Sequence, residues 1–374
     1  MKRSGMNSLT VCFVAILSTA AGYLFLKYSS ESADAVCRGI ELCGVSVIPS
    51  LFPMMFVSQY MIVSGAAELA GSLIEKPTRF LFGLPGVCGV ALLTAFVGGY
   101  PAGAGAAESL VESGRITAKE GQRLASIAFC SGPGFSIGMI GAGLYQSKSA
   151  GLLILTAQAF SCIILGTVLR LTGGGFADAA EKTETAVNLL PDRSDAFVRA
   201  AVNTASALLN MCSFIILFQV ITAMLDVAGI NRGLGILTRF SGLGECGEYL
   251  LPCLTEVTAG SILSVKAGLP FTAFVAGFGG LSVHFQNFAV CRKVLPDRFR
   301  YGFIRLMQGA LCSLIVYTAL KLPCFASLSQ CAAGSTVGGI PAEFPTVSVE
   351  YGCVMLLMCL MSVICLPKMQ KELI

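Results

Sequence analysis

Long apolar runs, separated by short polar stretches, dominate the chain. The first run, Leu9 to Leu26, follows Lys2 and Arg3 and predicts a membrane helix whose N-terminus is cytoplasmic. A cleaved signal peptide is the alternative, but the apolar residues continue up to Lys27, which favours a retained helix. Further spans are expected in the run that ends at Ser64 and at 150–169, 195–225, 301–320 and 350–366.

Two stretches, 97–143 and 251–287, are apolar but interrupted by glycines, prolines and polar residues. The run just before the first stretch, Gly86 to Val97, is shorter than the roughly 20 residues that a spanning helix needs, and it predicts a half helix or a re-entrant segment. Broken backbone at membrane depth is tolerated only where protein or a water-filled cavity surrounds it. Two such interrupted segments in corresponding halves indicate the binding site of a transporter.

We therefore predict an all-α fold, a polytopic helical membrane protein with about eight to ten membrane segments. The order of amphipathic start, long span, surface stretch, two breaks and a span occurs twice, which predicts two repeats that we expect to be inverted. The predicted parts are an N-terminal transmembrane helix (1–29), a first Gate-like repeat (30–171), a polar linker (172–194), a second repeat (195–320), a loop (321–349), and a C-terminal transmembrane helix with its tail (350–374).

Composition supports the membrane assignment, because 55% of residues are hydrophobic and only 12% are charged, about half the charged fraction of a soluble protein. The net charge of +4 is scattered, so no nucleic-acid partner is expected. The 16 cysteines lie mostly in apolar runs and are interpreted as small packing residues; with one histidine, they predict no metal site and no cofactor. The most basic loop is expected in the cytoplasm and carries Arg292, Lys293, Arg298, Arg300 and Arg305.

Four motifs carry a resemblance to a known family: GGYPAGA (98–104), SGPGF (131–135), LTEVTAG (254–260) and GFGGLSVHFQ (277–286). Together they resemble the nucleoside-recognition, or Gate domain, family, and more narrowly its sporulation integral membrane proteins of the YlbJ/SpoVV type. The resemblance implies paired hairpins and broken helices that build a site at the bilayer midplane. It also implies a membrane transporter of a small organic anion, dipicolinic acid, exported from the mother cell across the outer forespore membrane.

Two other functions stay open at this point: a nucleoside or other small-metabolite permease of the same family, and a non-transporting structural protein of the forespore envelope needed for cortex formation. We expect no enzyme. Residues 134–138 match GxSxG, and Ser136 with His284 would make an intramembrane protease, but the strand-turn-helix context of a nucleophile elbow is missing. The GxGxxG match at 242–247 likewise lacks a preceding strand.

Glu256 is the first candidate for a functional residue, because an ionisable group at membrane depth is costly. It is expected to bind a proton or cation that accompanies the substrate; the alternative is a helix-terminal carboxylate that reaches water. An ionised Glu256 would repel an anionic substrate, so we expect protonation, a metal ion, or Lys266 beside it. Half-helix N-termini would supply N–H groups to the anion without a formal charge.

The other candidates are polar or break-forming residues in the same motifs. His284 is either a proton relay or a hydrogen-bonded packing residue, and Gln286 and Asn287 bind ligand or join helices. The predicted substrate-binding set is Tyr100, Pro101, Gly103, Ser131, Gly132, Thr255, Glu256, Thr258, Ser282, His284, Gln286 and Asn287.

Overall fold

The computed structural model describes residues 8–64, 66, 73–112, 114–172, 193–240, 246–291, 293–294, 297–325 and 328. Every regular element within these ranges is a helix, which confirms the predicted all-α class. The predicted C-terminal transmembrane helix, and most of the predicted linker and of the loop after 320, lie outside the described residues.

The elements before the linker are nine helices in the described ranges, several of them short. They are α1 (Ser8–Lys27), α2 (Ser29–Leu42), α3 (Ile48–Val63), α4 (Glu75–Phe82), α5 (Cys88–Gly98), α6 (Tyr100–Glu112), α7 (Ala118–Ile127), α8 (Gly134–Leu144) and α9 (Lys148–Thr172). A π-helical turn, Cys43–Val47, joins α2 to α3, and α8 is itself π-helical.

From α2 onward, the elements before the linker run as one long segment (α2 with α3), a short helix (α4), two broken pairs (α5–α6 and α7–α8) and a long helix (α9). The elements after the linker follow the same order: a long helix, a short one, two broken helices and a long helix. They are α10 (Arg193–Val227), α11 (Ile230–Phe240), α12 (Cys246–Thr255), α13 (Val257–Ser264), α14 (Leu269–Phe278), α15 (Gly280–Val290) and α16 (Arg298–Leu320), with 3-10 turns at Val265–Ala267 and Pro323–Phe325. The common order agrees with the expected internal repeat, while the repeat itself and its inversion stay predictions.

Three helices in the described ranges are long and apolar enough to cross a membrane: Lys148–Thr172, Asp195–Val227 and Arg298–Leu320. A fourth candidate is the pair α1 and α2, which bends by 93° at its junction. Four further apolar helices are too short to span alone: Leu51–Val63, Cys88–Gly98, Gly134–Leu144 and Val257–Ala267. The prediction of broken and half-length segments is thereby confirmed, and the total of eight to ten segments stays a prediction.

Two glycines show why the helices break where they do. Gly99, between α5 and α6, has a φ of 89°, and Gly280, at the start of α15, has a φ of 69°; both lie in the left-handed region that side chains disfavour. A Cβ added at Gly280 would also lie 3.0 Å from the backbone nitrogen of Val257. These positions therefore need glycine both for the turn and for close contact between two breaks.

The long helices enclose the broken ones. Helix α10 packs against α2, α3 and α15; α16 packs against α9 and α14; and α6 packs against α15, which brings broken segments of the two halves together. The N-terminus of α7 carries a capping box, in which Thr117 and Glu120 satisfy each other's backbone N–H groups. The broken segments consequently meet in the interior, where a cavity forms.

Candidate functional site

Four helices meet at one buried cavity. The cavity is lined by the first residues of α6 and α13, Tyr100 and Val257, by Phe135 near the start of α8, and by Val283 and Gln286 of α15. The cavity measures about 20 Å³, room for about one water molecule. A helix N-terminus carries the positive end of the helix dipole, which favours negative charge. At α13 the carboxylate of Glu256 already lies at this end and accepts the N–H of Ala259. The lining residues are Val47, Leu51, Gly98, Gly99, Tyr100, Ser131, Phe135, Met211, Ile215, Glu256, Val257, Thr258, Val283 and Gln286.

The breaks touch each other in pairs, one pair in each half. A Cβ added at Gly132 would lie 3.1 Å from the nitrogen of Gly99, and one added at Gly99 would lie 3.3 Å from the carbonyl oxygen of Ser131. In the second half, a Cβ at Gly280 would lie 3.2 Å from the carbonyl carbon of Glu256. The backbone of the breaks thus forms two opposed contacts around the cavity.

Glu256 is fully buried at the N-cap of α13. Its Oε2 accepts a hydrogen bond of 2.6 Å from the N–H of Ala259, and its Oε1 has no partner. No Lys or Arg among the described residues forms a salt bridge with it. Lys266 is exposed and lies beyond the opposite end of α13, so it is not the neutralising neighbour that the sequence left open.

Gln286 is the second buried group on the cavity whose oxygen lacks a partner. Its side chain is 2% exposed, and no hydrogen bond reaches its Oε1. An unpaired buried oxygen costs about 1–3 kcal/mol, so the Oε1 atoms of Glu256 and Gln286 are the groups that a ligand, a proton or a water would satisfy. Among the lining residues, these two oxygens are the buried polar side-chain atoms without a hydrogen-bond partner.

Ser131 presents a polar group from the break between α7 and α8. Its N–H donates to Oε1 of Gln158 at 2.7 Å, and its hydroxyl accepts from Nε2 of the same residue at 2.9 Å. Ser136 also hydrogen-bonds the Ser131 hydroxyl. Gln158, on α9, was not a candidate from the sequence, because one glutamine in a long apolar helix does not show which break it faces.

Five of the predicted residues line the cavity: Tyr100, Ser131, Glu256, Thr258 and Gln286. The other seven lie off it: Pro101, Gly103, Gly132, Thr255, Ser282, His284 and Asn287. Gly103 allows close helix contact, since a Cβ there would lie 2.3 Å from the carbonyl oxygen of Ala128. Thr255 bonds its own helix through the carbonyl of Pro252 at 3.1 Å, and the buried hydroxyl of Ser282 has no partner.

His284 and Asn287 make contacts that favour the packing interpretation. Nε2 of His284 lies 2.9 Å from the carbonyl oxygen of Phe278, and its ring meets that of Tyr301 at 5.4 Å. Nδ2 of Asn287 donates to the Tyr301 hydroxyl at 2.7 Å. Both residues thus join α15 to its surroundings rather than facing the cavity.

Apolar walls of the cavity come from helices that the sequence did not single out. Val47 and Leu51 lie at the junction of α2 and α3, and Met211 and Ile215 lie on α10. From the sequence alone, these apolar side chains cannot be distinguished from side chains that face lipid or the protein core. Only the packing of α10 against α3 and α15 shows that they face the site.

The expectation that Arg305 belongs to the most basic loop is wrong, because Arg305 lies within α16. Arg298 and Arg300 are exposed, but Arg305, which follows Arg300 by five residues along α16, is fully buried. Its guanidinium donates to Oε1 of Gln308 and to the carbonyl of Ser126. These acceptors, not a surface position, explain how a cation is held inside the protein.

Comparison with known proteins supports the membrane assignment. The chain is 28% identical, over 349 residues, to the sporulation integral membrane protein YlbJ of Bacillus subtilis (strain 168). The aligned region covers 86% of this chain and 85% of YlbJ. The chain is similar to YlbJ over most of its length. This confirms the predicted resemblance to YlbJ-type sporulation membrane proteins. No family model matches, so the Gate domain stays a prediction, and no solved structure matches the chain.

Proposed function

We propose that the chain is a sporulation-linked membrane transporter of a small organic anion. The observation that carries the proposal is a cavity where four helices that follow backbone breaks meet, α6, α8, α13 and α15, and which holds the unpartnered oxygens of Glu256 and Gln286. The similarity to YlbJ supports the link to sporulation. Dipicolinic acid, exported from the mother cell across the outer forespore membrane, is the substrate that the YlbJ/SpoVV resemblance favours.

Glu256 is the coupling group in this proposal. An ionised carboxylate and a dicarboxylate substrate repel each other strongly in a low-dielectric cavity. Protonation of Glu256 removes this repulsion and turns its unpartnered oxygen into a hydrogen-bond donor toward the substrate or toward Oε1 of Gln286. The proton and the anion therefore bind together, and the Glu256→Gln variant keeps the neutral form but loses the ability to exchange the proton.

The small size of the cavity implies a second conformation. A volume of about 20 Å³ admits roughly one water molecule, whereas a pyridine dicarboxylate needs several times that space. At the breaks at Gly99 and Gly280 the segments touch backbone to backbone, so we place the opening motion there. Opening to either side in turn is alternating access about a fixed site.

Complementation tests this function against the structural alternative. The wild-type chain, expressed in Bacillus subtilis lacking YlbJ, is expected to sustain normal dipicolinate content in the spores. Glu256→Gln is expected to leave the protein in the membrane but to lower dipicolinate content severalfold or more. Glu112→Gln, which changes an exposed carboxylate on α6, is the matched control. Full dipicolinate content with Glu256→Gln at equal protein level would favour a scaffold of the forespore envelope instead.

A further inference from the structure

Arg305 is a buried cation with no carboxylate beside it in the part of the chain that the structure describes. It lies seven residues into α16, about 10 Å along the helix axis, and its side chain is fully buried. Two of its nitrogens donate to Gln308 and Ser126, and its Nε has no partner. A buried charge without a counter-ion costs several kcal/mol, so a cation kept here is a functional candidate.

Aromatic rings separate this charge from the cavity. The guanidinium carbon of Arg305 lies 4.2 Å from the ring centre of Phe129, whose ring centre lies 4.6 Å from that of Tyr100. Tyr100 in turn lines the cavity. Two packed aromatic rings therefore separate the positive charge from the cavity, a path on the order of 10 Å through low-dielectric protein, where a charge is screened far less than in water.

We propose that Arg305 is the fixed positive charge that makes the cavity select anions and prefer two negative charges to one. The inference rests on the proposed transport function and adds a specificity-determining residue to it. Arg305 does not touch the substrate; it acts through the field across Phe129 and Tyr100. The helix N-termini supply hydrogen bonds to the anion, and Arg305 supplies the net charge that the cavity itself lacks.

A purely structural role for Arg305 predicts a different result. Its bond to the Ser126 carbonyl caps the end of α7, while Gln308 donates to the carbonyl of Phe129 at 2.9 Å. Gln158 holds the same break from α9 through Ser131. Loss of these bonds would deform the break and lower the binding affinity for every substrate by the same factor. Loss of the charge lowers the binding affinity for each substrate in proportion to the charge that the substrate carries, and this dependence separates the two roles.

The experiment compares substrates of graded charge in proteoliposomes. The probes are dipicolinate with two carboxylates, picolinate with one, and nicotinamide with none, each titrated to give an uptake KM or an inhibition constant. At about 10 Å and an effective dielectric constant of about 20, Coulomb's law gives on the order of tenfold in affinity for each unit of substrate charge. Arg305→Gln is therefore expected to raise the constant for dipicolinate on the order of tenfold more than that for picolinate, with nicotinamide unchanged.

Two variants serve as controls. Arg305→Lys keeps the charge and is expected to keep the dipicolinate-to-picolinate ratio within a few-fold of wild type, and Arg300→Gln removes an exposed charge from the same helix and is expected to leave it unchanged. Equal losses for all three probes in Arg305→Gln would overturn the proposal. If Arg305→Gln does not fold, Arg305→Lys and the wild-type series remain, and a wild-type affinity that does not rise with substrate charge contradicts the proposal. Absence of any wild-type dipicolinate flux refutes the proposed function, and this inference with it.

Discussion

Tyr100 donates a hydrogen bond of 2.6 Å to the carbonyl of Ala276, which joins the first residue of α6 to α14 in the other half of the chain. Tyr145 makes a similar bond of 2.7 Å to the hydroxyl of Thr272, also on α14. The two tyrosines are equally buried, at 4% and 5% exposure, but only Tyr100 lines the cavity. They therefore form a natural pair for separating stability from function.

Tyr100→Phe is expected to lower both stability and transport. Loss of the hydroxyl leaves the Ala276 carbonyl without this donor, at a cost of about 1 kcal/mol, and loosens the cavity wall. Tyr145→Phe should lose a similar free energy of unfolding while keeping its KM for the substrate. Thermal midpoints in detergent and uptake kinetics provide the two readouts. Equal KM changes in both variants would show that Tyr100 has no special place at the site.

Glu108→Gln is expected to destabilise the fold without changing the cavity. The buried carboxylate of Glu108 accepts the N–H groups of Lys293 at 2.7 Å and Val294 at 3.0 Å, which fastens the turn after α15 to α6. A glutamine can accept with one oxygen only, so we expect a loss of about 1–3 kcal/mol, visible as a lower thermal midpoint. Glu112→Gln, one turn further along α6 and exposed, should cost less than about 1 kcal/mol. A similar midpoint in both variants would contradict this assignment.

Gly280→Ala tests the contact between the breaks of the second half. The left-handed backbone of Gly280 and the 3.0 Å approach of an added Cβ to the nitrogen of Val257 predict a loss of about 1–3 kcal/mol, together with slower transport. Gly302→Ala is the control, since Gly302 lies within α16 and an added Cβ there meets no atom within 4 Å. We expect the control to be neutral or slightly stabilising, and a neutral Gly280→Ala would refute the close contact.

The broken segments could be predicted from sequence because their causes are local. A run of apolar residues too short to span, ended by Gly99, already implies a half helix, and Thr117 with Glu120 marks the next helix start. Glu256 could be singled out because a carboxylate in an apolar segment is rare. These features depend on residues that are close together in the chain.

The direction of side chains around a break could not be predicted. Each break resets the helical phase, so Gln286 faces the cavity while His284, two residues earlier, turns to Phe278 and Tyr301. Arg305 was misplaced for a related reason: its charge matched the neighbouring loop, and only the packing of α16 against the end of α7 shows its acceptors. Both facts depend on tertiary contacts.

The most direct test of the central claim is dipicolinate uptake into proteoliposomes that hold the purified protein, with Glu256→Gln and Glu112→Gln measured alongside and uridine as the nucleoside probe. The account predicts saturable dipicolinate uptake by the wild type and by Glu112→Gln, a loss of at least tenfold in Glu256→Gln, and little competition from uridine. Uridine uptake in place of dipicolinate would identify a nucleoside permease. No saturable uptake of either probe by folded wild-type protein would contradict the transporter.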